Sequence, residues 1–337
     1  MMTERTHKKR ILVCGAGSIG MRHITNLLSE HVDVFVHRQR KDKNQELLKS
    51  FDYKIELADD FETCIPKMDG VVIATETNKH RPIIESAVKN NKHLYIEKPI
   101  DVNANNLNKL KEEIKKKGLA VEVGCQLRQH PCLIKLKEIL SKNFSPVYTF
   151  RVYAGQRLED WRPGTDYNDS YSASKSRGGG ALLDLIHEID LTHWLLGDID
   201  EVFGDLSKVS DQKIDAEDLV NIILRLRSGA VGSIQLDLLS PVLRRGIEII
   251  SKEAIICWDY NLGQLEVTTK SGKEVLESVE QGFERNDLFL DTMSHFLKRM
   301  DNINITPSCS FEDGIKSLEI VDAIESSYKE KKAIKVN

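Results

Sequence analysis

The segment Arg10-Ile11-Leu12-Val13-Cys14-Gly15-Ala16-Gly17-Ser18-Ile19-Gly20 decides the fold of the first half of the chain. A short apolar run enters a G-x-G-x-x-G sequence, and an amphipathic helical pattern follows through Leu28. In a strand–turn–helix unit the first glycine permits the tight turn, the second lets the backbone approach a pyrophosphate, and the third allows close packing of helix on strand. The helix N-terminus offers free N–H groups to the phosphates. The pattern predicts a dinucleotide site at Gly15, Gly17, Ser18, Ile19 and Gly20.

The second strand candidate, 32–36, ends in His37-Arg38-Gln39-Arg40-Lys41. A site for NAD would place Asp or Glu here to accept hydrogen bonds from the ribose hydroxyls. Cations replace that acid, which favours a 2′-phosphate and hence NADP, with Arg38 as the main contact. The alternative is that His37 and Arg38 contact the adenine face and that either NADP or NAD binds.

Strand and helix patterns alternate through residue 125, which predicts a doubly wound parallel sheet. Its last apolar strands include 70–75 and 94–96, and the latter runs directly into Glu97-Lys98-Pro99. Ligands bind at the carboxyl ends of strands in such sheets. A lysine there is partly desolvated and exchanges a proton near neutral pH more readily than an exposed one. Lys98 is therefore a candidate catalytic residue, although two solvated residues after a strand would also explain Glu97 and Lys98.

The second half begins with a predicted helix at 131–140 and a strand at 146–153. Strand-like segments separated by short turns follow from 201 to 275, which predicts antiparallel neighbours. Helices are predicted at 287–300 and 311–329. We therefore expect an α/β protein, with an N-terminal Rossmann domain (1–125) and an α+β domain with a large open, mostly antiparallel sheet (126–337). An alternative arrangement has the C-terminal helix packed back on the first domain.

The long segment 155–177 is rich in aromatic residues, arginine and hydroxyls. Aromatic rings cover sugar faces, and arginine forks bind carboxylate or phosphate. Trp161, Arg162 and Tyr167 are therefore candidate substrate contacts. An ordered loop with aromatic anchors, or an arm that contacts another subunit, would explain the same residues.

A single helix is predicted over 181–196, directly after Gly178-Gly179-Gly180. Three- and four-residue spacing places Asp184, His187 and Glu188 on one face of that helix. A buried polar face needs partners, because burying an unpaired charge is costly. Because this helix occurs together with the Lys98 segment and the glycine triplet, His187 is a candidate catalytic residue, against the alternative of a satisfied structural histidine.

Taken together and in order, these segments resemble the Gfo/Idh/MocA family of NAD(P)-dependent oxidoreductases. The matching segments are Gly15–Gly20, Ala74–His80, Glu97–Pro99, Gln126–Pro131 and Gly178–Asp190. The resemblance covers nearly the whole chain. It implies that Lys98 lies near the nicotinamide and the substrate, and that Asp184 and His187 close the site from the second domain.

Further residues follow from matching the same motifs. The resemblance implies cofactor contacts from Thr75, Asn78, His80, Glu97 and Gln126, and a substrate contact from Arg128. One departure concerns the family's D-x-G-x-H pattern, since here histidine follows aspartate after three residues in Asp184-Leu185-Ile186-His187. A subgroup with D-x-x-H-E-x-D has the same spacing, so the histidine role is assigned to His187.

Composition narrows the functional classes. The chain has 337 residues and a net charge of −4. Because it has no net positive charge, its electrostatic field does not favour binding to nucleic acid or to an anionic membrane surface. Six cysteines form neither a C-x-x-C pair nor a metal-like spacing, and we predict no metal site. The polar N-terminus lacks a signal-peptide core and no apolar run could span a bilayer, so we expect a cytoplasmic protein.

The main hypothesis is a dehydrogenase that transfers a hydride to or from a carbinol carbon of a sugar derivative. Nucleotide-linked, acidic and acylamino sugars all fit the substrate segment. One alternative is a dinucleotide-binding regulator without turnover, and another is a glycosidase that uses bound NAD in a redox-neutral cycle. We also expect a homodimer or homotetramer formed through the open sheet.

Overall fold

The computed structural model describes residues 8–142, 144–161, 164 and 166–336, and these form two compact units. The first unit comprises the chain up to Asp101, Asn105–Gly124 and Arg285–Glu312. The second comprises Val102–Ala104, Cys125–Glu284 and the chain from Asp313 on. Both units are therefore built from segments that are separated in sequence.

A parallel sheet forms the centre of the first unit. Its strands among the described residues are β1 (Arg10–Cys14), β2 (Asp33–His37), β3 (Glu56–Ala58), β4 (Gly70–Ile73), β5 (His93–Ile96) and β6 (Val121–Val123). They lie in the order β3-β2-β1-β4-β5-β6, and every neighbouring pair is parallel. The predicted doubly wound Rossmann sheet is confirmed.

Helices cover this sheet. They are α1 (Ser18–Ser29), α2 (Asn44–Ser50), α3 (Phe61–Cys64), α4 (His80–Lys89), α5 (Leu107–Lys117) and α9 (Arg285–Asp301). The side chain of Asp60 caps α3 by accepting from Thr63 N at 2.9 Å, and Gly118 ends α5 at φ +61°. Such caps satisfy backbone groups that a helix end leaves without partners.

The late helix α9 completes the core of the first unit. Its Met293 and Phe296 are fully buried in one cluster with Tyr95 of β5. Glu122 of β6, also fully buried, contacts His295 Nδ1 at 3.2 Å and accepts from Cys309 N at 2.9 Å. Apolar contact and a satisfied buried carboxylate together fix this segment on the sheet.

The second unit contains a larger sheet. Its strands among the described residues are β7 (Val147–Gly155), β8 (Ile199–Ser207), β9 (Leu219–Leu226), β10 (Val231–Asp237), β11 (Arg244–Ser251), β12 (Ile255–Asp259), β13 (Gln264–Thr269), β14 (Gly272–Ser278) and β15 (Ile334–Lys335). They lie in the order β14-β13-β12-β11-β7-β10-β9-β8-β15. Neighbours are antiparallel except β7 and β10, which are parallel, and the predicted mostly antiparallel sheet is confirmed.

Four helices belong wholly or mainly to the second unit among the described residues: α6 (Pro131–Lys142), α7 (Ala181–Asp184), α8 (His187–Leu196) and α10 (Phe311–Glu330). Helix α10 packs closely on β8, where Ser327 Oγ accepts from Gly204 N at 3.1 Å. A β-carbon at Gly204 would lie 2.7 Å from Ile324 Cγ2, so the glycine permits this approach. Within the described ranges no helix is both long enough and apolar enough to cross a membrane.

Candidate active site

The glycine loop has the geometry that a dinucleotide needs. Gly15 has φ +106°, and a β-carbon there would overlap the carbonyl of Ala74 at the end of β4. Gly17 is the residue before α1, and a β-carbon on it would meet nothing within 4 Å. The first glycine is thus required by the turn, whereas the second leaves open space beside the helix N-terminus. These residues fit the pyrophosphate of a nicotinamide dinucleotide.

Cationic residues follow β2, as the sequence predicts. His37 Nδ1 lies 3.3 Å from the carbonyl oxygen of Ala58, and its ring packs edge-on to Phe61. Arg38 donates through Nη1 to the Lys43 carbonyl at a long 3.4 Å. Its Nε is buried and has no hydrogen-bond acceptor within the described ranges. A buried donor without an acceptor carries a free-energy cost that an anionic ligand would relieve.

The segment that carries Lys98 leaves the carboxyl end of β5, next to β4 in the sheet. Glu97 is buried, and its Oε1 accepts from His23 Nε2 of α1 at 2.7 Å. Lys98 itself is half-buried. Asp101, three residues further on, forms a 2.6 Å ion pair with Arg81 of α4. The backbone around Lys98 is therefore fixed by side chains of two different helices.

The predicted cofactor contacts that follow β4 lie at the same carboxyl end of the parallel sheet as Lys98. His80 is 1% exposed and donates through Nε2 to the Thr75 carbonyl at 3.1 Å. Burial lowers the pKa of His80, so its imidazole is neutral at neutral pH. Thr75 is half-buried and Asn78 exposed. The structure thus brings Thr75, His80, Glu97 and Lys98 together with the glycine loop.

In the second unit the glycine triplet has a packing role. Gly180 has φ +112°, and a β-carbon there would overlap the carboxylate of Glu217. Glu217 in turn accepts from Leu182 N at 3.1 Å through Oε1 and from Ala181 N at 3.0 Å through its carbonyl. Burial raises the pKa of Glu217. The start of α7 is therefore held by a carboxylate 35 residues later in the chain.

The single helix predicted over 181–196 is wrong. Helix α7 ends at Asp184 and α8 begins at His187, because the hydrogen bonds of Ile186 N and Glu188 N reach only three residues back. Asp184 and His187 are both buried, at 4% and 5% exposure. The break separates them, so they do not share one continuous helix face as the spacing suggested.

Two arginines hold the acidic residues of α8. Arg128 binds Asp190 in a two-pronged ion pair, Nε to Oδ2 at 2.9 Å and Nη2 to Oδ1 at 2.6 Å. Its Nη1 lies 3.3 Å from Asp313. On the other side, Arg245 Nε lies 2.7 Å from Glu188. The guanidinium of Arg128 is thus engaged by this chain's own carboxylates, which favours a structural role over the expected contact with substrate.

The expected substrate contacts that the structure describes in the long 155–177 segment, and Gln126, lie in the second unit. Trp161 Nε1 donates to the Gln156 carbonyl at 3.1 Å, and the Tyr167 hydroxyl accepts from Lys213 N at 3.3 Å. Both polar atoms thus anchor the loop to its own unit, while their contact with substrate stays a prediction. Arg162 lies outside the described residues. Gln126 is buried in a 3₁₀ turn that opens the long second-unit segment.

Sequence reasoning missed Asp190, Glu217 and Arg245 as partners that hold the site segments. Their contacts join residues distant in the chain, and no local pattern signals such contacts. Glu217 alone had an indirect signal, because a glycine triplet before a helix indicates that something approaches its backbone closely.

Comparison with known proteins places the chain among oxidoreductases. Residues 9–125 match the Gfo/Idh/MocA model, described as an oxidoreductase family with an NAD-binding Rossmann fold, and residues 137–256 match that family's C-terminal domain. A myo-inositol 2-dehydrogenase of Thermotoga maritima is 27% identical over 97% of this chain and 98% of its own length. A scyllo-inositol 2-dehydrogenase (NAD(+)) of Bacillus subtilis is 24% identical over 96% and 95%. A levoglucosan dehydrogenase in complex with NADH has the same fold, with a TM-score of 0.86 at 22% identity over 98% and 99%.

Proposed function

The chain belongs to the Gfo/Idh/MocA family of oxidoreductases, and from this premise we propose that it transfers a hydride between a nicotinamide dinucleotide and a carbinol carbon of a sugar or cyclic polyol. The observation that carries the proposal is the position of Lys98. It follows β5, an interior strand of the parallel sheet, in the same unit as an open glycine loop, on a backbone fixed at Glu97 and Asp101. The two inositol dehydrogenases support an alcohol of this class.

Oxidation of a carbinol removes a hydride from carbon and a proton from oxygen. A nicotinamide dinucleotide held at the glycine loop would supply the hydride acceptor. In the proposed mechanism His187 accepts the hydroxyl proton and Lys98 polarises the oxygen. Asp184 orients His187 or Lys98, or balances its charge. In the alternative assignment Lys98 and His187 exchange roles. Proton transfer by a positioned group contributes roughly 10²–10⁴-fold.

The test follows nicotinamide absorbance with purified protein, NAD or NADP, and a panel of inositols and free, acidic and nucleotide-linked sugars. Lys98→Ala should lower kcat by about 10²–10⁴-fold and leave NADH affinity nearly unchanged. Lys109→Ala, at an exposed lysine of α5, is the matched control and should behave as wild type. Cofactor binding without turnover of any alcohol would refute the proposal and favour the regulator, and release of free sugar from a glycoside without net reduction would favour the redox-neutral glycosidase.

We further propose that the cofactor site prefers NADP over NAD, with NAD as the alternative cofactor. The support is the absence of an acid at 37–41 in the sequence and the buried Arg38 Nε without an acceptor in the described part of the chain. A 2′-phosphate would supply that acceptor in a charge-assisted hydrogen bond. Arg38→Ala should raise the KM for NADP by about tenfold or more and leave that for NAD nearly unchanged. Equal KM values for the two cofactors in the wild type would favour NAD or dual use.

For the assembly we propose a homodimer or homotetramer formed through the outer face of the large sheet. Apolar side chains are exposed there in register pairs, Phe203 beside Ile223 and Ile250 beside Ile255. Exposed apolar patches of this kind mark contact surfaces. Light scattering of the purified protein measures its mass, and Ile223→Asp should convert an oligomer into smaller species. A wild-type monomer would refute this part.

A further inference from the structure

The hydrogen bond between His23 and Glu97 joins two functional segments of the first unit. His23 lies on α1 and is fully buried, and its Nε2 is 2.7 Å from Glu97 Oε1. The ring is also in edge contact with Tyr95 and Phe289, at centroid distances of 4.9 and 6.1 Å. Its place in the packing and its hydrogen bond are therefore both defined.

Stability alone does not explain this histidine. Its Nδ1 is buried and has no hydrogen-bond partner within the described ranges, which costs free energy. An apolar side chain of similar volume would fill the space between Tyr95 and Phe289 without that cost. A buried pair of polar side chains, charged or not, is often no more stabilising than well-packed apolar replacements. The pair is better explained by what it orients.

The object that it orients is the carboxylate of Glu97. A β-carbon at Gly124 of the same unit would lie 2.9 Å from Glu97 Oε1, so the carboxylate is confined on that side as well. Glu97 N donates to the Ile73 carbonyl at 2.9 Å. Both backbone and side chain of Glu97 are thus held, and the next residue is Lys98.

The other partner, α1, is the helix whose N-terminus follows Gly17. His23 lies three residues beyond the last glycine of the loop, which is about 4.5 Å along a helix axis at 1.5 Å per residue. Helix α1 therefore begins at the glycine loop and also holds the Lys98 segment, through the hydrogen bond between His23 and Glu97.

We propose that His23 is a positioning residue for Lys98: through Glu97 it sets the place of the lysine relative to the glycine loop. The proposal rests on the function proposed above, in which Lys98 acts at the reacting oxygen. A misplacement of about 1 Å in a reacting group costs on the order of 10²-fold in rate.

The first experiment needs neither cofactor nor turnover. Lysines of wild-type protein and variants are reductively methylated with ¹³C-formaldehyde, and the methyl resonances of Lys98 and of the exposed Lys109 are compared by NMR. His23→Phe keeps a ring and removes the donor, whereas His23→Gln keeps an amide donor. We expect the Lys98 resonance to shift in His23→Phe and to return toward its wild-type position in His23→Gln, while Lys109 stays constant.

The second experiment measures cofactor binding by titration with NADPH and with NADH. It measures turnover with myo-inositol, or with the panel member that is oxidised fastest. His23→Phe should lower kcat by about 10- to 100-fold, with the Kd for NADH and the KM for the alcohol changed by about twofold at most. In a Lys98→Ala background the same change should cost no more than about a further twofold, because the residue through which it acts is gone.

The outcomes separate this proposal from the function it rests on. A folded His23→Phe with an unchanged Lys98 resonance and wild-type kcat overturns the positioning role, whatever Lys98→Ala does. Full activity of Lys98→Ala instead overturns the role of the lysine. If His23→Phe does not fold, Glu97→Gln decides by the same two measurements, and a wild-type resonance and kcat there overturn the proposal equally.

Discussion

His130 should make the stability of the second unit depend on pH. The residue is 1% exposed, and its ring packs against Trp258 and Phe283 at centroid distances of 5.2 and 5.6 Å. Burial, with a smaller contribution from the charge of Arg245, lowers the pKa of His130 from 6.5 to about 4. The folded protein therefore holds this imidazole neutral at pH values where the unfolded chain already protonates it.

The direction and the size of this pH effect on stability follow from the difference between the folded and unfolded pKa of His130. Between pH 6.5 and 4 the unfolded chain binds more protons at this site, so stability is fully present above 6.5 and is lost as pH falls toward 4. A pKa difference of about 2.5 corresponds to about 3 kcal/mol. His130→Phe keeps the ring contacts and removes the titration. Between pH 7 and 4.5 the wild type should therefore lose about 2–3 kcal/mol more unfolding free energy than the variant.

Urea unfolding followed by tryptophan fluorescence measures this difference. All three tryptophans, at 161, 194 and 258, belong to the second unit and so report on the unit that contains His130. All other ionisable groups are the same in the two proteins, so their contributions cancel in the comparison. His31→Asn, at an exposed position with φ +58°, is the control and should follow the wild-type curve. Parallel stability curves for the wild type and His130→Phe would refute the reasoning.

Three further outcomes are expected from individual contacts. Gly180→Ala should lose about 2–3 kcal/mol of unfolding free energy, because the position combines a positive φ with overlap of the new β-carbon on a carboxylate. Gly17→Ala should keep an unfolding free energy within about 0.5 kcal/mol of the wild type and yet bind NADH more weakly. Equal NADH affinity of Gly17→Ala and the wild type would contradict the role given to the open space beside Gly17. Arg128→Leu should cost about 3–5 kcal/mol in urea unfolding, because it removes the two-pronged ion pair with the buried carboxylate of Asp190. Arg128→Leu combined with Asp190→Leu should recover part of that loss, and a double variant as unstable as the single one would contradict the prediction. Burial raises the pKa of Cys132 to about 11, so native protein at pH 8 should label at this cysteine with a thiol reagent only after unfolding, as mass spectrometry would show; rapid labelling of the native protein would contradict it.

The sequence was most informative where structure is local. The apolar run, glycine spacing and helical period around Gly15–Gly20 define a strand–turn–helix unit within twenty residues, and the structure reproduces it as β1 and α1. The alternating strands of the second half were equally clear, because one face of each is buried. The strand-like region predicted over 201–275 ends inside β14 (Gly272–Ser278), because this edge strand is largely exposed and lacks the alternation.

The candidate site was less predictable because its geometry comes from contacts between distant residues. The break between α7 and α8 falls at Leu185 and Ile186, which contain no glycine or proline to signal it. The ion pair of Arg128 with Asp190 joins residues 62 positions apart. Periodicity identified both late helices but not which sheet each would cover. Residue types predicted the candidates, whereas only the fold assigns their partners.

The return of α9 to the first unit has a consequence for how the protein is made. The parallel sheet is complete once Val123 has been synthesised, but Met293 and Phe296, which bury Tyr95, follow only after residues 124–292 have been made. Chains usually fold domain by domain during synthesis, from the N-terminus onward. Here the nascent first unit must wait with part of its apolar surface uncovered while strands β7 to β14 of the second sheet emerge. The growing polypeptide is therefore a natural client for chaperones that shield apolar surface during that interval.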